Sequence, residues 1–315
     1  MNARESAVAP PVPRAVELLD HLHRWAAVRP RELALVHKRC GQWKGWCWAD
    51  VHREVTQLRE ALQHRGFGPG ARLAVVGAYE PTLLVLALAA RATGGQVVPL
   101  PRTLAGAALV EALGAPGEAH LFIAERDSAA RLQAAVEGGV RLKRLYLAHR
   151  PTWRCADVVA EGVAELYAGQ PLPVQGRRAW HHLRAAAPVW AEEGTEWAEG
   201  LELLCERLVI HGESLAFPEG MASASRDRCD IAPATLLLSS SRAHALHAEL
   251  EDRVAAPGSL RRRVWDWARR GVGRTGLHRH VYSRVRRIVG LHRLRAVAPA
   301  AIDSAWLRPL RESGR

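Results

Sequence analysis

Residues 68–101, GPGARLAVVGAYEPTLLVLALAARATGGQVVPLP, read as strand, helix and strand, and that order leaves few folds open. GPG at 68–70 makes a tight turn, and the run after Arg72 is apolar on both faces, as a central parallel strand must be. Glu80-Pro81 opens a helix, since proline at the first helical position lacks only an N–H that the helix does not use. Gly94-Gly95 closes that helix, and QVVPL is the next strand. The alternation continues through a helix in LAGAALVEAL (104–113), strand HLFIA (120–124), helix SAARLQAAVEGG (128–139) and strand LKRLYLA (142–148). Such spacing implies right-handed crossovers, which predicts neighbouring parallel strands with helices on both faces, an α/β fold.

The flanking segments extend this pattern. Residues 1–13 are Pro-rich and read as a loose N-terminus. AVELLDHLHRWAAV places Val16, Leu19, Leu22 and Ala26 at helical spacing and stops at Pro30. ELALVHKRCGQWKGWCW reads as two short strands joined around Gly41. In the next helix Val51, Val55, Leu58 and Leu62 share a face, with Asp50 at its start and Gly66 at its left-handed end. The alternation lapses over 150–195, which reads as helix fragments around a QPLPVQG loop. It returns with helix WAEGLELLCERLVIHG (197–212), strand ESLAF, a polar connection, strand ATLLLSS (234–240) and a long helix from Arg242. Two basic helical stretches, LRRRVWDWARRG and HVYSRVRRIVG, precede strand HRLRAVAP and a last helix at 303–314. The expected divisions are 1–13, a first α/β subdomain at 14–150, an irregular connection at 151–196 and a second α/β subdomain with basic helices at 197–315.

Several kinds of chemistry lack their signatures. No GxGxxG follows RLAVVG, no GxSxG elbow occurs, and Cys40, Cys47, Cys155, Cys205 and Cys229 show no CxxC spacing. His181-His182 and the HGE at 211–213 read as surface or loop histidines, because no second ligand stands at helical spacing. The apolar run 81–90 is too short to cross a bilayer and the N-terminus has no signal pattern, so the expected location is cytoplasmic, with peripheral attachment at the inner membrane surface as the extension. The net charge of +12 is concentrated. Residues 258–315 hold fifteen arginines against Asp266, Asp303 and Glu312, so the rest of the chain balances to zero. A solvated basic face is the favoured reading. An anionic membrane surface is the alternative partner, with nucleic acid disfavoured. Trp265, Trp267 and Tyr282 among these arginines read as the apolar side of packed helices, or alternatively as a membrane interface.

Three segments in order resemble one family, the AMP-forming acyl-CoA synthetases of the adenylate-forming superfamily, in their long-chain fatty acid branch. Residues 41–100 are similar to the family's opening, with its Trp-containing strand, glycine-ended helix and GG-x-x-x-P-L strand. DIAPATLLLSSSRAHALHAELEDRVAAPGSLRRRVWDWA resembles the branch's P-T strand, proline-arginine turn and DWA helix. VGLHRLRAVAPAAIDSAWLRPLRESG resembles the approach to its G-A-A-P nucleotide-contact motif. The resemblance implies the N-terminal large domain of the adenylate-forming fold, incomplete at the C-terminus, with ATP, Mg²⁺ and CoA as the family's cofactors. It also implies a degenerate nucleotide contact at Ala296, Val297, Ala298 and Pro299.

Departures from the family pattern set the functional expectation. No SGTTGxPKG phosphate loop occurs between 165 and 195, Ala296 stands where the family has glycine, and Ser241 replaces a proline beside a matching Arg242. No lysine follows Lys143, although the family uses lysines to neutralise the forming acyl phosphate. Ser239, Ser240, Ser241 and Arg242, between a strand and a helix start, form a weak phosphate candidate; helix capping is the favoured role for the serines. No catalytic or metal-binding residue is assigned, and ATP, Mg²⁺ and CoA are expected to go unused. The expectation is a ligase-like domain, catalytically incomplete alone, that acts by binding a complete acyl-CoA synthetase or an acyl carrier. The alternatives are a ligase completed by a partner chain and a basic membrane- or nucleic-acid-binding module.

Overall fold

The structure, a computed structural model, describes residues 15–299 except 105, 115–117, 125–140, 149–158, 168–176, 179–186, 255–257 and 271–275. The N-terminus at 1–13, the helices expected at 128–139 and 303–314, Cys155 and His181-His182 therefore lie outside the described residues. Helix α1 spans Ala15–Val28 and is followed by an antiparallel hairpin, β1 (Leu33–Arg39) and β2 (Gln42–Cys47). Cys40 and Gly41 both take positive φ, 48° and 70°, so the two-residue turn has the twist that a hairpin needs. Helix α2 (Trp48–His64) starts where the Asp50 carboxylate accepts the Cys47 N–H at 3.2 Å, a capping box. Its four expected core residues, Val51, Val55, Leu58 and Leu62, are all buried. On α1 Leu22 is buried and Leu19 packs against the core, as expected, while Leu18 and Trp25 join them without having been anticipated.

The central alternation forms as the sequence predicts. Strands β3 (Arg72–Val76), β4 (Gln96–Pro99), β5 (His120–Ile123) and β6 (Arg144–Leu147) are parallel, with α3 (Pro81–Ala92) and α4 (Gly106–Leu113) between them. A further strand, β7 (Val159–Gly162), joins the same sheet, whose order is β4-β3-β5-β6-β7. Both faces are covered. Leu73 and Val75 of β3 point towards α1, α2 and α3, while Ala74 and Val76 point towards Leu109 and Leu113 of α4.

The second sheet draws on both ends of the chain. It contains β8 (Arg177–Arg178), β9 (Val189–Ala191), β10 (Leu215–Phe217), β11 (Thr235–Leu237) and β12 (Ala296–Ala298) in the order β12-β11-β9-β10-β1-β2-β8. The hairpin β1–β2 sits in this sheet, so the sequence division at 150 does not separate the two sheets. Helix α5 (Ala198–Cys205) continues into a π-helical turn at Glu206–Ile210 and packs with α1–α3 between the sheets. Helices α6 (Ala224–Ile231), α7 (Ser240–Val254), α8 (Leu260–Arg270) and α9 (Gly276–Ile288) follow. They cover the outer face through Ala224, Ile231, Ala243, Leu246 and Trp265. The layers therefore run helix, sheet, helix, sheet, helix.

Two expectations are corrected here. The described parts of 150–195 contain three strands and one 3₁₀ turn, Val163–Tyr167, where helix fragments were expected. Pairing with neighbours outweighs the helical preference of an alanine-rich stretch, and a three-residue strand such as VWA leaves almost no periodicity to read. The polar connection before β11 holds helix α6, whose Asp227 and Arg228 are fully buried.

The sheets meet where β3 ends. The Gly77 N–H donates to Thr195 Oγ1 at 3.0 Å, the Thr195 N–H donates to the Gly77 carbonyl at 2.9 Å, and Ala78 bridges Gly194. A Cβ on Gly77, at φ +145°, would stand 2.5 Å from the Ala124 Cβ. Gly77→Ala is expected to cost about 2 kcal/mol or more, combining backbone strain with overpacking. The urea midpoint reads this directly, and an unmoved midpoint would show that the joint yields.

Candidate functional site at the carboxyl edge of the second sheet

In an open parallel sheet, ligands bind beyond the carboxyl ends of the strands. At that edge the structure brings together both segments singled out in the sequence. Strands β11 and β12 pair in parallel, Leu236 with Val297 and Leu237 with Ala298, and the Leu238 N–H donates to the Ala298 carbonyl at 3.1 Å. Ser239–Arg242 therefore lie beside Ala298-Pro299. Ala296 and Val297 are half-buried within the pairing and Ala298 is buried.

Helix α7 begins at Ser240, two residues earlier than expected, and Ser239 is its cap. The Ser239 hydroxyl accepts the Arg242 N–H at 3.0 Å, while the Ser239 carbonyl starts the helical ladder by accepting from Ala243 at 2.9 Å. The position where an external anion would sit is filled from within the chain. Glu193 Oε1 accepts the Ser239 backbone N–H at 2.6 Å and Glu193 Oε2 accepts its hydroxyl at 2.5 Å. Ser241 Oγ lies 2.9 Å from Ser239 Oγ and completes the cluster. Ser240 is exposed and takes no part. Burial pushes the Glu193 carboxyl above its ordinary range, against the opposing hydrogen bonds from Ser239, and the neighbouring Glu192 adds to the rise.

Arg242 is equally committed. Its Nε donates to Glu192 Oε1 at 2.7 Å, and its Nη1 and Nη2 fork onto Glu249 at 2.6 and 3.2 Å. Burial works against the guanidinium charge, but these two carboxylates outweigh it and hold the pKa above the ordinary value. Glu192 is the hub. Its other oxygen accepts from Trp190 Nε1 at 2.6 Å and from Arg228 Nη1 at 3.0 Å, and the side chains of Glu192 and Arg228 are both 0% exposed. The sequence reading missed Glu192 and Glu193. Two adjacent carboxylates directly after the apolar triplet of β9 were the available signal.

A phosphate group does not fit the start of α7 as this chain builds it. The backbone and hydroxyl donors that would hold it are already bonded to a carboxylate, and two anions would share one set of donors. The other histidine motif does not converge either. His211 lies 3.2 Å from Glu206, whereas Glu213 takes Arg207, so each has its own surface partner. A cleft of 920 Å³ opens at the opposite, amino edge of the second sheet, beside Arg29, Glu32, Ser214 and Thr235; Gly212 and Glu213 of the HGE motif line it, whereas Ser239–Arg242 do not.

Residues 22–178 match the family described as AMP-binding enzyme. No curated protein matches the sequence. Among solved structures, the chain is similar to the A domain of carboxylic acid reductase from Segniliparus rugosus, in complex with AMP and a co-purified carboxylic acid. That likeness has a TM-score of 0.65 at 12% identity and covers 97% of this chain and 60% of that one. The acetoacetyl-CoA synthetase of Streptomyces lividans matches with a TM-score of 0.54 at 17% identity, over 74% of this chain and 44% of that one. Coronafacic acid ligase from Pectobacterium brasiliense matches with a TM-score of 0.58 at 10% identity, covering 77% of this chain and 53% of its own. The chain thus spans about half the length of these ligases. Residues 22–178 form an AMP-binding enzyme family domain, and the chain has the fold of the N-terminal domain of adenylate-forming ligases.

Proposed function

We propose that this chain is an acyl-CoA synthetase-like domain, of the long-chain fatty acid type, that does not adenylate a carboxylic acid by itself and contributes through binding. The observation that carries this reading is the Glu193 carboxylate seated on the Ser239 N–H and hydroxyl. Adenylation brings a carboxylate against the α-phosphate of ATP, so the reaction needs donors aimed at phosphate oxygens. Here those donors serve an internal acid, and Arg242, whose N–H the Ser239 hydroxyl accepts, is held by Glu192 and Glu249. Residues 165–195, where the family's phosphate loop is expected, hold no lysine, which supports the same reading. The proposed partner is a complete acyl-CoA synthetase or an acyl carrier.

The test is pyrophosphate exchange with ATP, Mg²⁺ and a panel of fatty acids. No exchange is expected from this chain alone, and clear exchange would overturn the reading. Exchange only on adding a second chain would identify a ligase assembled from two polypeptides. A parallel measurement uses Glu193→Gln. Removing one negative charge within hydrogen-bond reach should raise ATP affinity at least tenfold, since like charges about 4 Å apart repel by a few kcal/mol at a protein surface. Equal affinity of both proteins would show that Glu193 does not bar the phosphate.

A further inference from the structure

Helix α8 presents apolar side chains in two directions. Trp265 is 7% exposed and packs into the outer core, with its Nε1 3.3 Å from Glu251. Arg262 ties the same side down, pairing with Glu251 at 2.6 Å and with Asp266 at 3.3 Å. On the other side Leu260, Val264 and Trp267 are 77%, 46% and 42% exposed. Their spacing, i, i+4 and i+7, puts them in one stripe along the outer surface of the helix. The two tryptophans therefore have different roles, although the sequence alone treats them alike.

Exposed cations lie on α8 and on its packing neighbour α9. Arg263 is exposed on α8, and Arg284 and Arg287 are exposed on α9, which packs against α8. The segment 258–315 carries fifteen arginines and three acids, while the remainder of the chain sums to zero. We propose that the outer face of α8, with the exposed arginines of α9, docks on an anionic lipid bilayer. The occupant is argued from both properties together. A nucleic acid would use the arginines but gains nothing from Leu260 and Val264, whereas an acidic membrane takes both. The aliphatic stripe enters the boundary between headgroups and acyl chains, the Trp267 indole suits the same depth, and the arginine stems lie along the apolar surface with their heads at the phosphates. Each arginine brought to such a surface strengthens partitioning by about fivefold. No described helix is long and apolar enough to cross a membrane, so attachment by α8 would be at the surface. This inference is independent of the proposed function, because none of these residues belongs to the site at the sheet edge.

The experiment is co-sedimentation of the full chain with vesicles of phosphatidylcholine containing 30% phosphatidylglycerol, at about 0.1 M salt. Binding is expected, with at least tenfold weaker partitioning onto pure phosphatidylcholine. Leu260→Glu with Val264→Glu should reduce partitioning at least tenfold while the thermal melt is retained, since both side chains are exposed. Leu260→Ser is the milder variant if the double one does not fold, with a severalfold loss expected. No binding to the acidic vesicles would overturn the proposal. So would binding that these variants leave unchanged, which would mean that arginines alone attract the lipid. Preference for duplex DNA over the vesicles at equal phosphate concentration would also overturn it and assign the face to nucleic acid.

Discussion

Glu192→Ala is expected to destabilise the protein by about 3–5 kcal/mol, the usual cost of removing one partner from a buried charge cluster. Glu192 accepts from Trp190, Arg228 and Arg242 with both oxygens, at 2.6 to 3.0 Å, and is sealed from solvent. Its loss leaves Arg228 a buried guanidinium without the carboxylate that its Nη1 bonds. Since whole domains are stable by only about 5–15 kcal/mol, the variant is expected to be largely unfolded or insoluble at 37 °C. Glu193→Ala gives the contrast. That carboxyl is half-buried, carries a raised pKa and bonds the neutral Ser239 rather than a buried guanidinium, so its removal should cost about 1–2 kcal/mol. Urea titration of the two variants decides the matter. A Glu192→Ala midpoint close to that of Glu193→Ala would mean that water reaches the cluster and supports the arginines.

Mild acid should destabilise the protein. Burial, reinforced by Arg39, lowers the pKa of His37 to about 3, and burial with Lys143 and Arg144 lowers that of His120 to about 4. Both rings stay neutral in the folded chain at pH values where the unfolded chain protonates them near 6.5. The sign follows from linkage: the unfolded state binds more protons, so stability falls as pH drops from about 6.5 towards 4. At pH 5 each histidine contributes a loss of about 2 kcal/mol, and the pair about 4 kcal/mol. Glu193 acts in the opposite sense, because its raised pKa favours the folded state as it protonates, and it offsets part of the loss. The check is stability against pH between 7 and 5 for the natural chain and for His120→Phe. His120 is wholly buried, with its Nδ1 3.1 Å from the Tyr146 hydroxyl and its ring against Phe67. The variant should lose about half of the slope, and an unchanged slope would remove His120 from the explanation.

What the sequence revealed, and what it hid, divides along physical lines. The β3–β6 alternation was legible because strands buried on both faces read as short apolar runs between turn residues, and the α2 core face because one-sided burial imposes a period of 3.6. Hairpin and helix ends were legible at Gly41, Asp50, Gly66 and Pro81, where backbone geometry restricts the residue type. Helix α6 was hidden for the converse reason. The stretch reads as a polar connection, but Asp227 pairs with Lys38 at 2.9 Å and Arg228 with Glu192, so the polar side points inward. The site was legible in half. The sequence marks Ser239 to Arg242 and Ala296 to Pro299 as strand ends, yet gives no sign that the donors at 239 are used by Glu193, 46 residues earlier. Partners so far apart in sequence leave no periodic trace.

The hairpin shared between the chain's beginning and its later strands sets the order of events during synthesis. Leu35 pairs with Leu215 and Val36 with Ala216, across a separation of 180 residues. The edge that β1 offers to β10 must therefore wait for most of the chain to leave the ribosome, about 10–40 s at ordinary translation rates. The five-stranded sheet closes through crossovers between sequence neighbours and has no such delay. During that interval the unpaired edge of β1, with buried Leu35 and Val36 behind it, is the part of the nascent chain most open to mispairing or to capture by a chaperone.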